Sequence, residues 1–193
     1  MDILQQLQQL DDGSRPIIIA IEGGSGAGKT TLATYIEHQL PNVTLISTED
    51  FIVPLAQQED TIDAALDWRR LKDQVILPLA KKKVAKYWRY DPTEPTTQQW
   101  LQVAPQGIVI IEGSFSTCLS LAPYYDLKIW VETPMMERYN RLVEKDGDEM
   151  KAYWQEYLPK EAYYIESNLP NRYADVVFAG TASDDDDEIE DVT

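Results

Sequence analysis

The chain has 193 residues and a formal net charge of −16 at pH 7; it is 44% hydrophobic and contains one cysteine, Cys118. That length suits one substantial α/β domain rather than two, the acidity disfavours a nucleic-acid polymer as partner, and a lone cysteine leaves no intrachain disulfide. No apolar run approaches the roughly 18 residues of a membrane span, and Met1-Asp2-Ile3-Leu4-Gln5 lacks the basic and apolar regions of a secretory signal. A cytoplasmic protein, off the membrane, is therefore expected. Seven of the eight residues 184–191 are acidic, and without them the chain still carries about −9. Residues 1–180 are expected to form the single domain and 181–193 a disordered acidic tail.

In chain order, Ile3, Leu4, Leu7 and Leu10 recur at helical spacing among glutamines, which predicts a short amphipathic helix over 1–10 packed beside the domain. Asp11-Asp12-Gly13-Ser14-Arg15-Pro16 is a turn. Ile17-Ile18-Ile19-Ala20-Ile21 reads as a buried parallel strand. It feeds Gly23-Gly24-Ser25-Gly26-Ala27-Gly28-Lys29-Thr30, which fits the phosphate-binding pattern G-x-x-x-x-G-K-[ST], the P-loop. Gly23, Gly26 and Gly28 let the backbone take positive φ and approach an anion. Lys29 offers an ammonium to β- and γ-phosphates and Thr30 a hydroxyl to Mg2+. A helix over 31–40 would aim its first free N–H groups, beginning at Thr31, at those phosphates. In so acidic a chain, anion binding has to rest on this local set of Lys29, backbone N–H groups and Mg2+.

A second strand is expected over 43–47. Asp50 lies just beyond its carboxyl end, where open α/β sheets place their ligands; the residue type equally suits a turn or helix cap. Residues 64–82 read as a helix with Leu66, Leu71, Val75 and Leu79 on one side, Asp63 or Asp67 capping its start and Pro78 bending or ending it. The alternating aromatic run over 84–91 predicts a strand or hairpin. Ile108-Val109-Ile110-Ile111 reads as a third buried strand, and Glu112 at its end has the placement of a Walker B acid that holds Mg2+ directly or through water. A fourth strand over 127–131, a helix from Pro134 to about Lys145, a helix over 148–167 bent or broken by Pro159, and a last strand over 175–178 complete an α/β fold with a parallel sheet.

No Asn-Lys-x-Asp guanine motif is present and no Leu-Ser-Gly-Gly-Gln-like signature, which sets aside GTPase switches and ABC-type ATPases. With the P-loop, several further stretches resemble the uridine kinase family, within the group that includes phosphoribulokinase and bacterial pantothenate kinase. Thr48-Glu49-Asp50-Phe51 resembles that family's Asp-x-Phe-Tyr element, with Ile52 where Tyr is common. Asp67-Trp68-Arg69-Arg70-Leu71 with Val75-Ile76-Leu77-Pro78-Leu79 resembles its Asp-x-x-x-Leu…Leu-x-Pro-Leu helix. Tyr90-Asp91, Glu112-Gly113, Arg138-x-x-Arg141-x-x-x-Lys145-Asp146 and Pro170-x-x-x-Ala174-Asp175 resemble its hairpin, strand end, lid and final strand entry. The resemblance spans residues 17–178 and departs at Lys145, where Arg is usual, and at Pro95, where His is usual.

The resemblance implies a three-layer P-loop NTPase fold with a small lid and a β-hairpin insertion. It also implies ATP-dependent phosphorylation, with Mg2+, of the 5′-hydroxyl of a nucleoside such as uridine or cytidine. Asp50 would be the catalytic base and also touch the acceptor, with Lys29 and Arg141 stabilising the transferring phosphoryl group. Gly23, Gly24, Ser25, Gly26, Ala27, Gly28, Lys29, Thr30, Thr31 and Arg138 would hold the nucleotide, and Thr30 and Glu112 the metal. Asp60 or Asp63 would bind ribose hydroxyls and Tyr90 the base. The acceptor half leaves room for another small alcohol, such as pantothenate or a sugar, or for a nucleotide-binding regulator without turnover. The oligomeric state, a homo-oligomer included, is left open.

Overall fold

The computed structural model describes residues 2–53, 65–91, 93 and 99–180. Its sheet is built from β1 (Ile17–Glu22), β2 (Val43–Ser47), β5 (Ile108–Glu112), β6 (Leu127–Glu132) and β7 (Val176–Ala179), in the order β2-β5-β1-β6-β7. Every pairing among them is parallel. β1, near the middle, is buried at all six positions, as its unbroken apolar run requires. Strand side chains alternate between faces, so one run supplies two cores. Ile17, Ile19 and Ile21 pack with α1 (Ile3–Leu10) and α2 (Lys29–Gln39) on one side. Ile18 and Ala20 pack on the other with Phe51, Leu71, Val75, Ile76 and Leu79.

The second core is covered by a helical run comprising α3 (Trp68–Leu71), a π-helical turn over Lys72–Ile76 and α4 (Leu77–Ala80). Asp67 caps α3 by accepting from the Arg70 N–H, one of the two capping options; Asp63 lies outside the described residues. The wide π turn sits just before Pro78 in the first turn of α4. The antiparallel ladder of β3 (Ala85–Arg89) and β4 (Gln99–Val103) forms the hairpin. β4 has no apolar alternation strong enough to announce it: four of its five residues are exposed or half-buried.

After β6 come α5 (Met135–Asp146), α6 (Lys151–Asn168) and α7 (Pro170–Tyr173). Pro159 neither ends nor breaks α6, which is helical for 18 residues. The proline is exposed between the buried Leu158 and Glu161, so packing of its neighbours outweighs the lost backbone bond. The five parallel strands bring their carboxyl ends to one edge, where the P-loop, the turn after β2 and Glu112 meet.

Candidate active site

The chain turns between β1 and α2 with Gly26 at φ 78° and Gly28, the N-cap of α2, at φ 99°. Glycine is needed at Gly24 for a different reason: a Cβ there would collide with the Arg138 guanidinium. α2 begins at Lys29, two residues before the expected start, so the N–H groups of Lys29, Thr30 and Thr31 are the unpaired first-turn donors. The Lys29 ammonium donates to the Gly24 carbonyl at 3.0 Å. Desolvation pushes its pKa down, while the carboxylates of Glu161, Glu112 and Glu22 oppose that shift.

Glu22 ends β1 with 2% of its surface exposed. It accepts from the Thr117 N–H at 2.6 Å and from the Thr117 hydroxyl, yet burial still raises its pKa above the ordinary 4.5. The raised value means that Glu22 contributes stability fully below pH 4.5 and loses it as pH rises through the folded pKa. Glu22→Gln keeps an acceptor and removes the titration. Its melting temperature is expected to exceed wild type near neutral pH and to lack the wild-type rise on acidification; thermal melts with unchanged pH dependence would contradict this.

The Thr30 hydroxyl donates to Glu112 Oε2 at 3.2 Å. Glu112 is 7% exposed, and desolvation raises its pKa despite Lys29, with Glu49 adding to the rise. A buried carboxylate that wants a cation, beside a hydroxyl, is a hard oxygen donor pair suited to Mg2+. Among the described residues no group of three His, Cys, Asp or Glu forms a metal cage.

Asp50 is not where a base is expected. It is 6% exposed; its carboxylate accepts from the Tyr87 hydroxyl at 3.0 Å and from Arg89 Nε at 2.8 Å. Its carbonyl accepts from Arg70 Nη2 and from the Tyr90 N–H. Arg70 itself lies over the Trp88 ring at 3.8 Å. Asp50 thus ties the turn Thr48–Phe51 to the β-hairpin, with its carboxylate outside the cleft lining, while Glu49 lines the cleft. The physical cause is the 3-10 turn, which sends consecutive side chains in different directions. The sequence held a signal for this: laying Asp-x-Phe-Tyr on Glu49-Asp50-Phe51-Ile52, with Phe on Phe51, puts Glu49 in the position of the Asp.

Arg138 also departs from its expected place. It is 5% exposed and lies behind the loop, bonded to Glu161 at 2.7 Å and to the Ser25 carbonyl at 3.2 Å. Arg141 does line the cleft; it pairs with Glu137 four residues earlier and donates to the Gly180 carbonyl at 2.9 Å. Lys145 lines the cleft as well. Tyr90 is half-buried after β3 and outside the cleft lining. Asp60 lies outside the described residues, as does Pro95.

The cleft has a volume of about 1150 Å3. Opposite the turn after β2, α6 lines it with Tyr153, Trp154 and Tyr157. The rings of Tyr153 and Tyr157 stack at 5.6 Å, and Trp154 meets Tyr157 edge-on at 5.7 Å. Nothing in the sequence singled out these three or Glu161 beyond their spacing of about one helical turn.

No family model matches the chain. Curated relatives do. The uridine kinase of Borrelia turicatae is 27% identical over 181 residues, 83% of this chain and 84% of that one. The uridine kinase of Alkaliphilus metalliredigens is 29% identical over 184 residues, 85% and 87% of the two chains. Among solved structures, one described as a possible uridine kinase from Bacillus stearothermophilus superposes with a TM-score of 0.66 at 22% identity, covering 92% of this chain and all of that one. A candidate fructose transport system kinase from Silicibacter gives 0.62 at 16% identity, covering 92% and 99%. At those identities the superpositions speak for the fold: a parallel sheet with the P-loop at its carboxyl edge.

Proposed function

We propose that this chain, a small-molecule kinase related to the uridine kinases, transfers the γ-phosphoryl group of ATP to the 5′-hydroxyl of a nucleoside resembling uridine or cytidine. The observation that carries this reading is the meeting, in one cleft, of the P-loop, the Thr30–Glu112 pair and Glu49, which acts electrostatically on Glu112. The P-loop N–H groups, Lys29 and Arg141 hold the triphosphate. Glu49 orients the acceptor hydroxyl and takes its proton as the oxygen bonds to γ-phosphorus. The bond from γ-phosphorus to the bridging oxygen breaks, and ADP leaves with that oxygen. Lys29 and Arg141 offset charge on the transferring group. Thr30 and Glu112 would hold Mg2+, which would supply positive charge against the triphosphate.

The acceptor assignment draws on the names of the relatives and on the aromatic wall of α6. Tyr153 and Tyr157 supply flat, partly exposed rings on which a heterocyclic base can stack. Asp60 remains the proposed contact to ribose; Tyr90, half-buried outside the cleft lining, leaves the base to the α6 wall. The test is ADP release by the purified chain with Mg-ATP and a panel of uridine, cytidine, pantothenate and hexoses. Stimulation by a pyrimidine nucleoside is expected. Stimulation by pantothenate or a hexose alone moves the assignment to another metabolite, and stimulation by none removes it.

A further inference from the structure

Ser25, the third residue of the P-loop, has all three of its polar groups held by one buried ion pair. Its N–H donates to Glu161 at 2.8 and 3.0 Å, and its hydroxyl donates to Glu161 Oε1 at 2.8 Å. Its carbonyl accepts from Arg138 Nη1 at 3.2 Å. The pair closes at 2.7 Å, and Arg138 Nε donates to the Thr133 carbonyl at 3.2 Å. Glu161 is 1% exposed and Arg138 5%. They come from α6 and α5, which sequence places far from the loop.

We infer that Glu161 is a positioning residue for nucleotide binding: with Arg138 it sets the two peptide planes that flank Ser25, and so presets the loop's phosphate-facing donors. A trans peptide is planar with its N–H and C=O opposed, and no cis peptide occurs among the described residues. Arg138, drawing the Ser25 carbonyl inward behind the loop, therefore turns the Gly26 N–H the opposite way, towards the cleft that Gly26 lines. Glu161, taking the Ser25 N–H, fixes the plane before it. An empty anion site whose amides are already aimed loses little further freedom when the anion arrives. A carboxylate this close to a phosphate site would repel nucleotide if alone; Arg138 cancels its charge, and both sit behind the loop rather than in front of it.

Glu161 also connects this loop to the opposite wall. Tyr153, Tyr157 and Glu161 are four residues apart and share one helix face. Ser25 and Tyr157 both line the cleft. A shift of α6 therefore moves the aromatic wall and the Ser25 clamp together.

This inference rests on the reading that the loop binds Mg-ATP, and not on which acceptor is used, so its test needs no acceptor. Dissociation constants for Mg-ATP are measured by calorimetry, alongside melting temperatures, for wild type, Glu161→Gln, Glu161→Ala and the double variant Arg138→Met/Glu161→Met. Glu161→Gln keeps an oxygen for Ser25 but loses the charge, and is expected to weaken Mg-ATP binding about tenfold. Glu161→Ala strands the Arg138 cation and is expected to be the least stable of the four. The double variant fills the space without charge and is expected to recover the melting temperature while still binding Mg-ATP at least tenfold more weakly than wild type, about 1.4 kcal/mol. A double variant that recovers both stability and affinity would make the pair merely structural and overturn the inference. Wild-type affinity in Glu161→Gln would overturn it as well. A wild-type chain that does not bind Mg-ATP would remove the nucleotide reading itself, and the inference with it.

Discussion

Glu49→Gln is expected to lower kcat by about 10²- to 10⁴-fold, the usual worth of a general base, while leaving Mg-ATP affinity within about threefold of wild type. The amide keeps the size and one acceptor of the carboxylate but cannot take the proton of the acceptor hydroxyl. Glu49 is the carboxylate of the turn Thr48–Phe51 that lines the cleft. Asp50→Asn makes the contrasting case. It weakens the contact with Arg89, a half-exposed partner, and disturbs the bond with Tyr87, whose own phenol is held well above its ordinary pKa by burial and by Asp50. The expected consequence is a stability loss of about 1–2 kcal/mol with kcat within about tenfold of wild type. Single-turnover rates and thermal melts on the two variants separate these roles. Loss of turnover in Asp50→Asn with turnover retained in Glu49→Gln would return the base to Asp50.

Lys29→Met is expected to have an effect of similar size by another route. Removing one preorganised group that stabilises developing charge costs about 10²- to 10³-fold in kcat, and Mg-ATP binding should weaken too, because Lys29 offers its charge in ground and transition states alike. Its local field is unusual in one respect. Glu161, Glu112 and Glu22 all act on the ammonium, so the neutral side chain leaves their mutual repulsion without that cation. Glu112, already raised by burial, should then hold its proton more tightly still. Steady-state kinetics at saturating and limiting ATP check the split: kcat and kcat/KM for ATP should both fall. A variant with raised KM and unchanged kcat would limit Lys29 to ground-state binding.

The donor half of this site was legible in the sequence because it is local. A strand, a glycine-rich turn and a helix lie within 23 residues of one another, from Ile17 to Gln39, and the spacing of Gly28, Lys29 and Thr30 fixes their directions. Glu112 was legible for a similar reason: a buried strand delivers its last residue to the sheet's carboxyl edge. Asp50 and Glu49 show the limit. One residue of register in a tight turn decides which carboxylate enters the cleft: the resemblance was laid on Asp50, and the residue that lines the cleft is Glu49. Arg138 shares a helix face with Arg141, so spacing predicted one common role; burial divides them, Arg138 behind the loop with Glu161 and Arg141 at the cleft. Glu161 had no signal at all, because its meaning depends on α6 folding back across 136 residues of chain to Ser25. Pro159 misled for a related reason, since tertiary packing of Leu158 and Glu161 decides the helix there.

This cleft is proposed to phosphorylate a nucleoside hydroxyl. The most direct measurement is product analysis after incubating the chain with Mg-ATP labelled in the γ-phosphoryl group, once with uridine and once with 5′-deoxyuridine. Label recovered in uridine 5′-monophosphate, and in no product of the 5′-deoxy compound, is the expected result. Label released only as inorganic phosphate, or left wholly in ATP with every pyrimidine nucleoside offered, would contradict it.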